Sequence, residues 1–320
     1  MTTTLDQAAL AIAGAGELAL ACHVAPDGDA LGSLLALHHL ALAHGRASVA
    51  SWSPPFDVAP HYRFLPGLDL LTKPEDFPAV PEVMVTFDCG SLDRLGDLAE
   101  PARRAGQLIV IDHHATNTRF GTLNLVDPDA AASAVVVRRL AHRLGWELTY
   151  EAAVCLYTGL VTDTGRFQYA NTTPDVFALA TELSSFGLPI QTMTRQLFEE
   201  HTFSYLQLIG ECLSRARLDR DRRFVATWIT AADLDRFGIG LDETEGMIDL
   251  VRRASEADVS CVLKEVPGGV RVSLRAVSDT DVSAVAARFG GGGHRFAAGF
   301  TTSGTVDDVL TAITLLLPAP

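Results

Sequence analysis

At 320 residues, with 48% of them hydrophobic and 20% charged, the chain is long enough for two domains and apolar enough to build real cores, which excludes a mostly disordered protein. The net charge of −14 excludes a broad, non-specific grip on duplex nucleic acid, which needs many phosphate-neutralising cations. Mean hydropathy is +0.20, yet the longest uncharged stretch, Ala30 to Gly45, carries Ser33, His38, His39 and His44, so no membrane span is expected. Residues 1–45 hold no Lys or Arg and are interrupted by Asp6 and Glu17, which argues against a signal peptide. Five scattered cysteines (Cys22, Cys89, Cys155, Cys212, Cys261) form no C-x-x-C pair and suit buried thiols in a reducing cytoplasm, the expected location. Only Lys73 and Lys264 among the 25 basic residues are lysines, a bias that G+C-rich coding explains.

In chain order, the apolar run Leu18–Val24 predicts a strand that ends at Pro26-Asp27-Gly28-Asp29. A helix over Leu31–Ala43 follows, closed by Gly45 as a C-cap, and then a strand at Ala47–Trp52. Ser53–Pro66 is Pro-rich and predicts a loop. Val83–Phe87 and Leu108–Ile111 are short β-type runs ending at Asp88 and Asp112, and Ala131–Leu144 and Glu151–Val161 have helical spacing. Strand–helix alternation of this kind predicts an α/β fold with a doubly wound, mainly parallel sheet.

From about Pro189 the texture changes. Gln191–Leu218 has helical patterning without intervening strands, so 191–222 is expected to be a helical linker between a catalytic domain (1–190) and a smaller α/β domain (223–320). The latter should contain a strand at Arg223–Ile229, a helix near Glu243–Arg253, and strands at Val259–Glu265 and Val270–Val277, joined as a hairpin through Pro267-Gly268-Gly269. A helix over Asp281–Phe289, a Gly-rich turn and a last helix from Val306 complete it.

Acids and histidines fall at the ends of these runs. His23, Asp27 and Asp29 follow the first, Asp88 ends another, Asp112-His113-His114 a third, and Asp163 follows the apolar segment before Thr164-Gly165. In open α/β sheets ligands bind beyond the carboxyl ends of strands, so these segments are expected to share one site. Any one of these residues is commonly a turn or cap residue; the ordered combination points further. Clustered carboxylates repel and need protons or cations to coexist. Oxygen donors in the majority, two imidazoles and no thiolate favour Mn2+ or Mg2+ over structural zinc. Two ions about 3.5–4 Å apart could activate a water for attack on phosphorus. Separately, Gly290–Gly293 before His294 offers backbone N–H groups to a phosphate, and His294 and Arg275 could hold a second nucleotide unit.

These residues carry a resemblance. The segments His23-Val24-Ala25-Pro26-Asp27-Gly28-Asp29-Ala30-Leu31-Gly32-Ser33, Phe87-Asp88-Cys89-Gly90, Asp112-His113-His114-Ala115-Thr116-Asn117, Thr162-Asp163-Thr164-Gly165-Arg166-Phe167 and Gly290–Gly293 with His294 stand in the order of the DHH phosphoesterases. The chain resembles their short branch with a DHH-associated C-terminal domain, which hydrolyses nanoRNA and 3′-phosphoadenosine 5′-phosphate (pAp). Tyr62 to Gly67 also looks like that family's loop after the second strand. The resemblance spans nearly the whole chain. It implies that His23, Asp27, Asp29, Asp88, His113 and Asp163 hold two Mn2+ ions, with Asp88 and Asp163 shared. It implies that Asp112 supports the metal shell and that His114 faces the substrate phosphate as proton donor to the leaving group. It implies further that Arg275, Gly291, Gly292, Gly293 and His294 grip the terminal nucleotide from a second domain closing over the metals. The substrates implied are short RNA, pAp and cyclic di-AMP, with no long duplex and no membrane as partner, and a homodimer as the assembly. Arg166 and Thr116 depart from the family's usual residues; Arg166 is a candidate substrate contact. A manganese pyrophosphatase is disfavoured because Lys264 is the only lysine in the second domain, and a long-strand exonuclease because no basic channel is foreseen. A non-catalytic nucleotide-sensing or RNA-binding module on the same fold is the alternative from another class.

Overall fold

A computed structural model describes residues 2–317, which divide into two compact units between Leu197 and Phe198. The first unit runs α1 (Thr2–Gly14), β1 (Glu17–Cys22), α2 (Gly28–Ala43), β2 (Ala47–Ser51), β3 (Val83–Phe87), α3 (Ala99–Arg104), β4 (Gln107–Asp112), β5 (Leu123–Val126), α4 (Ser133–Leu144), α5 (Tyr150–Asp163), α6 (Pro174–Ser184) and α7 (Ile190–Phe198). Its five strands are all parallel, in the order β2-β1-β3-β4-β5. The doubly wound α/β fold is as expected. α1 and β5 go beyond the expectation: β5 has only four residues, and its Leu-Asn-Leu-Val pattern is too short to stand out.

Parallel strands covered on both faces must be apolar throughout, and all five residues of β3 are buried. One face carries Ala19, Ala21, Met84 and Leu108 against Leu95, Leu98, Ala99 and Ala102 at α3 and the turns before it. α2 packs closely on α5 through glycines. A Cβ on Gly32 would lie 2.4 Å from the Cys155 carbonyl oxygen, and one on Gly159 would lie 2.7 Å from Asp29 Oδ1. This close crossing carries Asp29, in the first turn of α2, toward α5, which ends at Asp163.

The second unit runs α8 (Phe203–Ser214), β6 (Arg217–Asp219), β7 (Phe224–Ile229), α9 (Ala231–Phe237), α10 (Ile248–Val251), β8 (Val259–Val266), β9 (Gly269–Ala276), α11 (Val282–Ala287), β10 (Gly292–His294), β11 (Ala297–Thr302) and α12 (Val306–Leu316). Its mixed sheet has the order β10-β11-β9-β8-β7-β6, with β7–β8 as its parallel pair. The β8–β9 hairpin turns through Pro267-Gly268, with Gly268 at φ +82°.

The expected linker over 191–222 is corrected. α7 falls almost wholly in the first unit, while Tyr205, Leu208, Ile209 and Cys212 of α8 are core residues of the second, packed with Val225, Ile229, Ile248 and Val262. Those four positions repeat at helical spacing, an apolar face that a solvated linker would not carry. The Gly-rich turn is also redrawn: Gly292–His294 is the edge strand β10, paired with Ala297–Gly299. Among the described residues no helix is long and apolar enough to cross a membrane.

Candidate metal centre

In the first unit the register aligns strand ends. Cys22 pairs with Phe87 and Phe87 with Ile111, so His23, Asp88 and Asp112 leave three strands level with one another. The sheet order changes direction between β1 and β3, the switch point where open α/β sheets bind ligands. Asp88 then adopts the left-handed conformation (φ +51°), which asparagine and aspartate tolerate best among non-glycine residues, and its N–H donates to the Ile111 carbonyl at 2.9 Å.

The structure brings His23, Asp27, Asp29, Asp88, His113 and Asp163 together. His23 Nε2 lies 3.9 Å from Asp27 Oδ2 and 3.6 Å from Asp88 Oδ2. His113 Nε2 lies 3.8 Å from Asp29 Oδ2, 3.4 Å from Asp88 Oδ1 and 3.0 Å from Asp163 Oδ2. Local hydrogen bonds aim these groups. Asp27 caps α2, its Oδ1 accepting from the N–H groups of Asp29 (3.1 Å) and Ala30 (3.0 Å), which leaves Oδ2 for the site. Asp29 Oδ1 accepts from the Ala134 N–H at 3.0 Å and Oδ2 from the Ser133 N–H at 2.5 Å.

The histidine tautomers follow from what their other nitrogens face. A carbonyl can only accept, so His23 Nδ1–H donates to the Val24 carbonyl at 2.9 Å and His113 Nδ1–H to that of Ala130 at 3.2 Å. Both Nε2 atoms therefore point at carboxylates, as in metal-ligating histidines held by a backbone carbonyl. The donor set fits a divalent cation: three-residue groups that include Asp88 place a ligand atom from each residue within 4.8 Å of the others, near enough to draw in around one ion.

Electrostatics agree. Burial, with Asp88 and Asp163 nearby, pushes the Asp29 carboxyl well above its usual range. Burial also raises Asp88, but the charge of His114 and the hydrogen bonds of His113 and His23 outweigh it and hold Asp88 well below. His113 is buried, which opposes its charge, yet Asp163 and Asp88 raise it well above the ordinary imidazole value. A proton thus competes for the position that a cation would take.

Asp112 and His114 form an adjoining unit. His114 Nδ1–H donates to Asp112 Oδ1 at 2.8 Å, and the same oxygen accepts from the His113 N–H at 2.8 Å. Asn117, which sequence reasoning did not single out, donates from Nδ2 to Asp112 Oδ2 and to the Cys89 carbonyl. Burial opposes a charge on His114, but Asp88 and Asp112 push it up to about 9. Arg166 is half-buried in a left-handed turn just after Asp163, with φ +54°, +62° and +62° at Gly165, Arg166 and Phe167. Phe167 anchors that turn against the rings of Tyr157 and Phe177.

Arg275, Gly291, Gly292, Gly293 and His294 belong to the second unit. Arg271, Ser273 and Arg275 alternate along one face of β9, with Ser273 opposite Gly299 and Arg275 opposite Ala297. A Cβ on Gly291 would lie 2.3 Å from the Gly299 carbonyl oxygen, so this edge can approach only without side chains. Lys264, opposite Arg271, is 1% exposed and donates to Glu245 Oε1 at 2.8 Å. Burial pulls its ammonium down against the pull of Glu245. The sequence placed this lysine in a strand but gave no sign of its partner.

Comparison with known proteins agrees with this geometry. Residues 17–160 match the DHH family N-terminal domain and residues 224–317 the DHHA1 domain. The chain is 35% identical to a bifunctional oligoribonuclease and PAP phosphatase NrnA of Thermus thermophilus, over 90% of this chain and 85% of the relative. The corresponding protein of Bacillus subtilis is 26% identical, over 87% and 86%. Among solved structures, an exopolyphosphatase-related protein from Bacteroides fragilis superposes with a TM-score of 0.90 at 25% identity, covering 98% of this chain and 95% of that one. The RecJ of Thermus thermophilus in complex with Mn2+ shares the fold at 16% identity and a TM-score of 0.55, over 99% of this chain and 55% of that one.

Fold, donor set and relatives define the class: a hydrolase of phosphoester bonds, built on a parallel α/β sheet and carrying a candidate divalent-metal centre. The chain belongs to the DHH family and carries that family's DHHA1 domain behind the DHH domain.

Proposed function

We propose that this protein uses a pair of divalent cations, Mn2+ with Mg2+ as the substitute, to hydrolyse short oligoribonucleotides and pAp in the cytoplasm, with cyclic di-AMP as a further candidate substrate. The observation that carries the pairing is the position of Asp88. Its Oδ2 faces His23, beside Asp27, while its Oδ1 faces His113, beside Asp29 and Asp163. One carboxylate between two donor groups is the arrangement that two ions sharing a ligand require. Such ions, when bound, lower the pKa of a water and neutralise charge developing on the phosphoryl oxygens.

The chain's own residues do the rest. His114 keeps its Nδ1–H on Asp112 and, in its protonated form, presents Nε2–H as the proton donor to the departing oxygen. Asp112 fixes that ring with Asn117 behind it. Arg275 and His294, with the Gly291–Gly293 backbone, are assigned to the neighbouring nucleotide, and Arg166 to a phosphate. The protein is expected to act as a homodimer. The deciding assay follows products from pAp, pApA, a five-nucleotide RNA and cyclic di-AMP side by side, with Mn2+ and after chelation. Turnover of the short linear substrates that stops on chelation is the expected result. Binding without product release on all four would establish the nucleotide-sensing alternative instead.

A further inference from the structure

The five residues 130–134, at the entry to α4, touch the segments of His113, Asp29 and Asp88 directly and that of Asp163 through Asn171. The Ala130 carbonyl accepts from His113 Nδ1, and the N–H groups of Ser133 and Ala134 hold the two oxygens of Asp29. Ser133 Oγ donates to Asp88 Oδ1 at 3.1 Å, the oxygen that also faces His113. The Ala131 carbonyl accepts from Asn171 Nδ2 at 3.1 Å, and the same amide donates to the Asp163 carbonyl at 3.1 Å. Ser133 is fully buried, and Ala132, the N-cap position of α4, offers no capping side chain of its own.

We propose that Ser133 and Asn171 are positioning residues, and that the 130–134 turn is the template setting where the metal-binding side chains meet. This rests on the two-cation reading above. The physical reason is tolerance. A shared-ligand metal pair works only if its donors are held to within about 0.5 Å, and isolated aspartates on separate strand ends are not held so well. A hydroxyl donating to one oxygen of Asp88 fixes the rotation of the shared carboxylate while leaving lone pairs on both oxygens for cations. Asn171 acts one step back, tying the end of α5, and with it Asp163, to the same backbone turn. The methyl side chains of Ala130–Ala132 leave the backbone open to these approaches.

Calorimetric titration with Mn2+ and the spin-coupled resonance signal of a paired Mn2+ centre test this without reference to turnover. Ser133→Ala keeps the backbone N–H to Asp29 and removes only the hydroxyl; it should weaken Mn2+ binding by about 10- to 100-fold and abolish the coupled signal at ion concentrations that give it in the parent. Asn171→Ala should weaken one of the two ions by about tenfold, and decides alone if Ser133→Ala does not fold. Ser48→Ala is the control: it removes a hydroxyl bonded to His38 Nδ1 at 2.9 Å in the same unit, and should leave Mn2+ affinity within about twofold. Parent-like Mn2+ affinity in Ser133→Ala or, if that variant does not fold, in Asn171→Ala overturns the proposal, as does an equal loss in Ser48→Ala. A parent protein that binds no ion pair defeats the two-cation reading itself, a distinguishable result.

Discussion

The two sheets expose their chemistry in different places. In the first unit every residue of β3 is buried, so nothing along the strand can meet a ligand, and the polar groups sit just past the strand ends. In the second unit β9 alternates buried and half-buried positions, and its cations, Arg271 and Arg275, lie along the strand itself. A strand covered on both faces can act only at its ends; in the second sheet β7 and β8 are covered in the same way, but β9 leaves one face half-open and can act through it. The first arrangement suits tight convergence of a few donors, the second a broader contact with a polyanion.

Substitutions should respect that division. The largest effect is expected from Asp88→Asn, which removes the carboxylate standing between both donor groups: hydrolysis should fall by at least about a thousandfold, while the circular dichroism spectrum stays close to the parent's. Retained turnover in that variant removes the account of the first unit. Arg275→Ala should instead raise KM about 10- to 100-fold, with kcat changed by less than about threefold and Mn2+ affinity unaffected, because a lost charge-assisted hydrogen bond costs about 1.5–3 kcal/mol of binding. If kcat falls as far as KM rises, the division between the sheets is wrong.

The smallest effect concerns His38, buried in α2. Burial first, then the charge of His39, pushes its imidazole down to about 4. Since the folded value lies below the unfolded value of about 6.5, the unfolded chain binds the extra proton, and this group's contribution is lost as pH falls from about 6.5 toward 4. His114 has the opposite sign: its raised value adds stability below about 6.5, lost as pH climbs through about 9. Urea unfolding of parent and His38→Asn at several pH values between 4.5 and 7 should show a shallower acid-side decline in the variant. Parallel profiles would mean that His38 titrates normally.

How much was legible before the structure depends on what kind of contact a residue makes. His23, Asp88 and Asp112 announce themselves because a polar residue directly after an apolar run marks a strand end. Asp163 is legible in the same way at the end of a helix. Ser133 and Asn171 leave no such mark, since the Asp88 carboxylate and the Ala131 carbonyl that their side chains meet lie 45 and 40 positions away in the chain. β10 was hidden by its composition: Gly292 and Gly293 suggest a turn because they lack the side chains by which strands are recognised, and for that same reason they pair closely with β11. α8 was misjudged because exposed Phe203, Leu206 and Leu213 blur the boundary between its faces.

The capping of α4 by Asp29 has a consequence for how the molecule acquires its shape. A helix normally closes its first turn with a neighbour in sequence, so that nucleation is a local event. Here the acceptor for the Ser133 amide comes from 104 positions earlier, with β2, β3, α3, β4 and β5 between the two in the chain. The start of α4 is therefore a long-range contact, of the kind that forms slowly, and the same contact seats Asp29 among the candidate metal ligands.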